Sequence, residues 1–269
     1  MGLYVSNITS DSQVVTDVKV LVPDAGVRRR MSRVIRMAVS TAVECVGGIE
    51  GIDGLDAIIT ATGYGCLADS ERFLRNVISD KEDLLNPTPF IQSTFNTVGG
   101  QIALLRHNHC YNMTYVNRIH SFEDALLDAF MRAEDGEGGR MLVGAFDERT
   151  DSQYEIMKRM GLWRKHDCGE GSVFVLLTSQ KEDSSIAEVL EIDFPSDSIG
   201  EQDIAQRYGC SDDDVILYNV CSTMEIYPTI SASVFAQAVE KIKKGASKVL
   251  VYNEMWGMTP TVVILGCIV

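Results

Sequence analysis

Six short apolar runs separated by helical patterns restrict the fold of this chain more than any other feature. Asp56–Thr60, Met141–Phe146, Ser172–Leu177, Val215–Tyr218, Lys248–Tyr252 and Thr261–Leu265 each read as a buried strand. Between them lie amphipathic stretches with apolar residues at helical spacing. The first predicted helix runs from Arg29 to Val46, with Met31, Val34, Ile35, Ala38, Ala42 and Cys45 on one stripe. A second covers Ser70 to Ser79, and a third Ser121 to Ala133 with Phe122, Ala125, Leu126, Ala129 and Phe130 facing inward. A fourth spans Ile230 to Lys243 and stops at Lys244-Gly245, a good helix C-terminus. Strands alternating with helices favour a layered α/β fold over a bundle or a sandwich.

At 269 residues the chain can bury one sizeable core or two halves that share one. The acidic stretch Gln180–Ser185 is the best boundary, dividing residues 1–180 from a remainder at 181–269 too short to stand alone. No sequence repeat is visible. A net charge of −14 repels nucleic acid and anionic membranes, so neither is an expected partner. No apolar run approaches the ~20 residues that cross a bilayer. Met1–Asn7 lacks a basic region followed by an apolar stretch, so a signal peptide is not expected and a cytoplasmic protein is. The seven scattered cysteines form no CxxC pair and suit reduced thiols.

Several segments, in order, resemble the β-ketoacyl synthase family. Asn96-Thr-Val-Gly-Gly-Gln-Ile-Ala-Leu104 is similar to its small-residue interface helix, and Tyr111–Val116 to the strand that leads to its nucleophile turn. Ser121–Ala133 resembles the helix after the active-site cysteine. Met141–Glu148 looks like the family's "LVGG-D/E" strand and Gly169–Leu176 like its "GEGA" strand. Asn253-Glu-Met-Trp-Gly257, followed by Thr261–Leu265, resembles the glycine-rich turn and last hairpin. The resemblance implies a thiolase-like α-β-α layered fold with a nearly complete first half and a truncated second half. That shortening resembles the chain-length-factor type found beside ketosynthases in aryl polyene and dialkylresorcinol pathways, as do Arg28–Arg36 and Ser121–Asp128.

A condensing enzyme of this family holds its acyl chain on a thiolate at a helix N-terminus, where free N–H groups favour the anion. By the resemblance that position falls on Ile119 or His120, and neither is a cysteine. Where the first of the family's two histidines is expected stands Asn219-Val-Cys221-Ser-Thr223, with Cys221 in its place; the second histidine has no counterpart. The condensation chemistry is therefore not expected. Ser121 with Asp124 fits a capping box. His120 reads as a turn histidine or a pocket residue, and Cys221 as a small buried thiol or a relocated nucleophile. Ser121, Phe122, Thr223 and Asn253 complete the pocket candidates. His107-Asn-His109-Cys110 offers three ligands in one turn and no fourth, so no metal is expected, nor any cofactor.

Arg28, Arg29, Arg30, Arg33 and Arg36 crowd into an otherwise acidic chain. On one helix, Arg29, Arg33 and Arg36 would share a face, either solvated or docking an acidic acyl carrier protein. Asn96, Gly99 and Gly100, with Tyr111, Asn112, Met113, Thr114, Tyr115 and Val116, are expected at a dimer interface, since such strands pair across a two-fold. The partner would be a β-ketoacyl synthase subunit or a second copy. The leading expectation is thus a non-condensing, chain-length-factor-like subunit. Alternatives are a noncanonical thioester acyltransferase or hydrolase using Cys221 or His120, and a stand-alone acyl-binding module.

Overall fold

The computed structural model describes residues 2–80, 85–162, 166–211, 213–219 and 225–268. Its core is one nine-stranded mixed sheet, so the layered α/β expectation holds. The strands are β1 (Leu3–Ser10), β2 (Ala57–Ala61), β3 (Tyr111–Tyr115), β4 (Arg140–Asp147), β5 (Gly171–Thr178), β6 (Ala187–Asp193), β7 (Val215–Tyr218), β8 (Lys248–Asn253) and β9 (Thr261–Cys267). Their spatial order is β3-β2-β4-β5-β1-β6-β9-β8-β7. The main helices are α1 (Ala25–Arg30), α2 (Arg33–Cys45), α3 (Leu67–Asp80), α4 (Pro87–Gln92), α5 (Thr97–Leu104), α6 (Ser121–Asp135), α7 (Asp151–Arg159), α8 (Glu201–Arg207) and α9 (Ile230–Lys243).

The pairing directions carry an internal repeat that the sequence hides. β2 and β4 are parallel, β4 and β5 antiparallel, and β5 and β1 antiparallel. The second half repeats this with β7 parallel to β8, β8 antiparallel to β9, and β9 antiparallel to β6. β1 and β6 pair antiparallel at the centre and join the two sets. Only β3, parallel to β2, has no counterpart beside β7 among the described residues. Strand direction and order repeat because layer packing demands only apolar strands and covering helices, not the same residues.

Helices α6 and α9 cover one face and share a core with both strand sets; Phe122 and Phe235 meet edge to face at 5.5 Å. α2 and α5 cover the opposite face of the first half, and α8 packs on the second. In the core Gly144 on β4 lets the ring of Phe174 on β5 lie flat against the backbone. A Cβ there would stand 2.0 Å from Phe174 Cδ1. No helix among the described residues is long and apolar enough to cross a membrane.

The predicted helix Arg29–Val46 is in fact two. Met31 and Ser32 are extended, with ψ of 125° and 175°, and separate α1 from α2. Side chains satisfy the carbonyls this break frees. Arg36 Nη2 reaches the Arg28 and Met31 oxygens at 3.4 and 3.3 Å, and Gln92 Nε2 donates to the Arg30 oxygen. Arg29, Arg33 and Arg36 therefore do not share a face of one helix.

Candidate functional site

The turn before α6 is built from Asn117 to Ser121. Arg118 is left-handed at φ 53°, a conformation that costs a non-glycine residue ~1 kcal/mol and needs support. That support is a knot of hydrogen bonds. Asn117 N–H donates to Ser121 Oγ at 2.8 Å, and Asn117 Nδ2 to Asp124 at 2.9 Å. Ser121 Oγ also lies 3.0 Å from the Thr62 oxygen and 2.8 Å from the Arg118 oxygen. The predicted Ser121–Asp124 capping box is thus not formed: Ser121 is the first helical residue, His120 is the cap, and Asp124 holds Asn117.

Of the two residues expected at the nucleophile position, Ile119 is fully buried among Ile226, Tyr227, Ile230 and Met255. His120 Nε2 lies 2.8 Å from the Thr259 carbonyl oxygen. A carbonyl only accepts, so this nitrogen carries the proton and has none to take. The imidazole also meets Phe194 edge-on at 6.3 Å. His120 thereby ties the start of α6 to the loop between β8 and β9. Phe122, expected in a pocket, is a core side chain instead.

Beneath this turn lie two buried carboxylates that the sequence reading missed. Glu123, on the first turn of α6, accepts from Asn253 Nδ2 at 2.9 Å, and the same amide reaches the Ile119 oxygen at 2.9 Å. Asn253 Oδ1 in turn accepts from Asn219 Nδ2, at the end of β7. Burial pushes the Glu123 carboxyl up to about 7, against the opposing pull of Ser231, Asn253 and Thr261. Its Oε2 and the Ser231 and Thr261 hydroxyls face one another without closing a hydrogen bond of good geometry.

Asp147 ends β4 and clasps the two halves. It accepts from Thr62 Oγ1 and the Gly63 and Tyr64 N–H groups at 3.0 Å each, and from Thr229 Oγ1 at 2.8 Å. Burial nevertheless raises its carboxyl to about 6. Gly63 is required where these segments cross, because a Cβ there would stand 2.2 Å from Pro228. Asp147 had a sequence signal, an ionisable residue at the end of an unbroken apolar strand. Glu123 had none.

A cleft of about 620 Å³ opens beside this floor at the carboxyl ends of the parallel pair β7 and β8. Leu162, Tyr218, Tyr252, Met255 and Trp256 line it, with Asn219 as the link to the Asn253–Glu123 chain. Of the sequence candidates, His120 and Ser121 lie in the turn before α6 and Asn253 reaches it at the Ile119 oxygen, whereas Cys221 and Thr223 lie outside the described residues. Among the described residues no group of His, Cys, Asp and Glu is gathered as a metal site requires.

Three of the five clustered arginines are engaged within the chain. Arg28 reaches the Pro23 oxygen at 2.6 Å and also contacts Val22, Arg36 has the contacts given above, and Arg33 forms a forked pair with Glu170. Arg29 and Arg30 are exposed. Farther off, β3 forms one edge of the sheet. Asn112 Nδ2 bonds the Gly99 oxygen at 3.0 Å, fastening α5 to it, and Thr114 meets Thr60 at 2.7 Å. Tyr111 bonds Asp128 at 3.1 Å under the Arg132 guanidinium. Met113 and Val116 are each 41% exposed, and the outer edge of β3 has no pairing strand among the described residues. Asn96 caps α5 without a side-chain bond, and Gly100 faces open space.

Residues 7–187 match the family model of the β-ketoacyl synthase N-terminal domain. No curated protein matches the chain in sequence. Among solved structures, the ishigamide ketosynthase/chain length factor superposes with a TM-score of 0.76 at 15% identity, over 100% of both chains. A type II polyketide acyl-carrier protein in complex with its hexaketide-bound ketosynthase gives 0.77 at 11%, over 99% of each. A ketosynthase in complex with its chain length factor, from Xenorhabdus doucetiae, gives 0.63 at 12%, over 99% of each. At such identities these likenesses establish the thiolase-like fold.

Proposed function

This chain belongs to the β-ketoacyl synthase family, and from that premise we propose that it is a non-condensing, chain-length-factor-like subunit pairing with a competent ketosynthase in fatty acid or aryl polyene-type polyketide biosynthesis. The observation that carries this reading is the start of α6. The position where a condensing enzyme needs a thiolate holds a buried Ile119 and a His120 already bonded to Thr259. Neither can carry an acyl thioester.

The remaining features support a scaffold. The outer edge of β3, with Met113 exposed on it and Val116 exposed just beyond its end, offers a partner strand a pairing surface. The structures most informative by likeness include ketosynthases with a chain length factor and one with a carrier protein. Residues 1–180 and 181–269 are then two halves of one core, the second showing no counterpart of β3 among the described residues. The free thiols at Cys45, Cys66, Cys110, Cys168, Cys210 and Cys267 suit work in the cytoplasm.

The test is intact mass after incubation with acyl and malonyl thioesters on carrier protein, together with co-purification alongside a candidate ketosynthase. No adduct, no loss of malonyl and a stable complex are expected. An acyl adduct that disappears in Cys221→Ala overturns the non-catalytic reading and makes the protein a thioester enzyme.

A further inference from the structure

A second cleft, of about 630 Å³, lies between α1, the turn at Ile49, α4 and the end of α5. It shares no lining residue with the cleft at the ends of β7 and β8. Its volume is that of an ordinary small-ligand pocket. Val27, Met31, Ile49, Ile91, Leu104 and Leu105 form apolar walls. Ile91 and Leu104 remain 63% and 62% exposed, so apolar surface on both sides of the opening stands in water.

The wall made by α1 is fastened in place. Arg28 grips the Val22 and Pro23 oxygens, Arg36 reaches back to Arg28 and Met31, and Gln92 holds the Arg30 oxygen from across the cleft. Fixing α1 this way leaves the Arg30 side chain at the lining, with no ion pair to any described residue. The one carboxylate of the lining, Asp24, accepts from the Gly26 and Val27 N–H groups at 2.6 and 3.0 Å. Those bonds hold its carboxyl below the usual range, so it stays ionised and committed to capping α1.

The Arg30 guanidinium makes no close ion pair or side-chain hydrogen bond among the described residues and feels the neighbouring Asp24 carboxylate. Standing over apolar walls, it suits an anionic headgroup on an apolar tail. We propose that this cleft binds a medium-chain carboxylate, with the alkyl chain against Ile91, Leu104 and Met31 and the headgroup on Arg30. This does not rest on the ketosynthase-partner reading. It also assigns Arg30 to a small ligand, leaving Arg29 as the exposed cation of α1.

Calorimetric titration of the full chain with sodium octanoate and with 1-octanol tests the assignment. Octanoate is expected to bind saturably at one site with Kd on the order of 100 μM, and octanol about ten-fold more weakly. Arg30→Gln should weaken octanoate about ten-fold and leave octanol unchanged. Leu104→Glu should weaken both, while Arg29→Gln, on the same helix but outside the lining, should change neither. Both Leu104 and Arg29 are exposed, and a thermal melt confirms that the variants fold. No saturable octanoate binding, equal affinity for octanol, or an affinity unmoved by Arg30→Gln or by Leu104→Glu overturns the proposal.

Discussion

Asn253 holds Glu123 and the backbone of Ile119 with one amide, at 2.9 Å each. Asn253, at the end of β8, thereby sets the position of the start of α6. Both side chains are fully buried, so neither bond is shared with water. The contact ranks above a surface pair, because breaking it would leave a buried polar group unsatisfied.

The charge state of Glu123 should govern stability near neutral pH. Its carboxyl is raised from 4.5 to about 7, and that of Asp147 from 3.8 to about 6. The folded state therefore holds these protons more tightly than the unfolded chain. The resulting stabilisation is complete below the unfolded values and is lost as pH rises through about 6 and then 7. Thermal melts should show Tm falling from pH 5 to pH 8. Glu123→Gln should raise Tm at pH 8 by roughly 3–6 °C and flatten that slope, since an amide can donate to the unpaired Ser231 and Thr261 hydroxyls. A Gln variant as pH-dependent as wild type would show that Glu123 is not the titrating group.

Gly144 should tolerate no side chain. Gly144→Ala would drive its Cβ into the fully buried Phe174 ring, and overpacking of this kind costs about 1–3 kcal/mol. Urea unfolding reads the loss directly. Gly144→Ala in a Phe174→Leu background should recover part of it.

The β3 edge should matter to assembly and not to folding. Met113→Lys and Val116→Lys change exposed residues of an unpaired edge, so Tm should move by no more than about 0.5 kcal/mol equivalent. Light scattering should show loss of self-association or of the ketosynthase complex. Retained complex in the double variant would move the interface elsewhere.

The arginine cluster should divide by function. Arg33→Gln breaks the forked pair with Glu170 and should cost under ~1 kcal/mol of stability, with carrier-protein affinity unchanged. Arg29→Glu leaves every described hydrogen bond in place and should weaken carrier binding, most clearly at low salt. Surface-immobilised carrier protein separates the two effects.

Some of this was legible in the sequence for plain physical reasons. Strands such as Met141–Phe146 and Ser172–Leu177 are buried on both faces, so they read as unbroken apolar runs. The α9 span was read to the residue, because its lysines and Gly245 mark its end. The two central strands escaped: β1 reads Leu-Tyr-Val-Ser-Asn-Ile-Thr-Ser, and β6 (Ala-Glu-Val-Leu-Glu-Ile-Asp) buries only Ala187 and Val189. In both, polar residues interrupt the apolar signal. The break after α1 escaped because apolar spacing continues through Met31 even though the backbone does not.

The site divides the same way. The sequence by itself determined the fold class, because strand and helix periodicity survive without any contact being known, and it showed that no cysteine stands at Ile119 or His120. Only the tertiary structure decided what surrounds those positions. His120 meets Thr259 across 139 residues, and Glu123 meets Asn253 across 130. Periodicity along a chain reports which face a residue turns inward. It carries no information about which distant residue waits there, and burial, opposed by that partner's hydrogen bond, is what moves the Glu123 carboxyl from 4.5 to about 7.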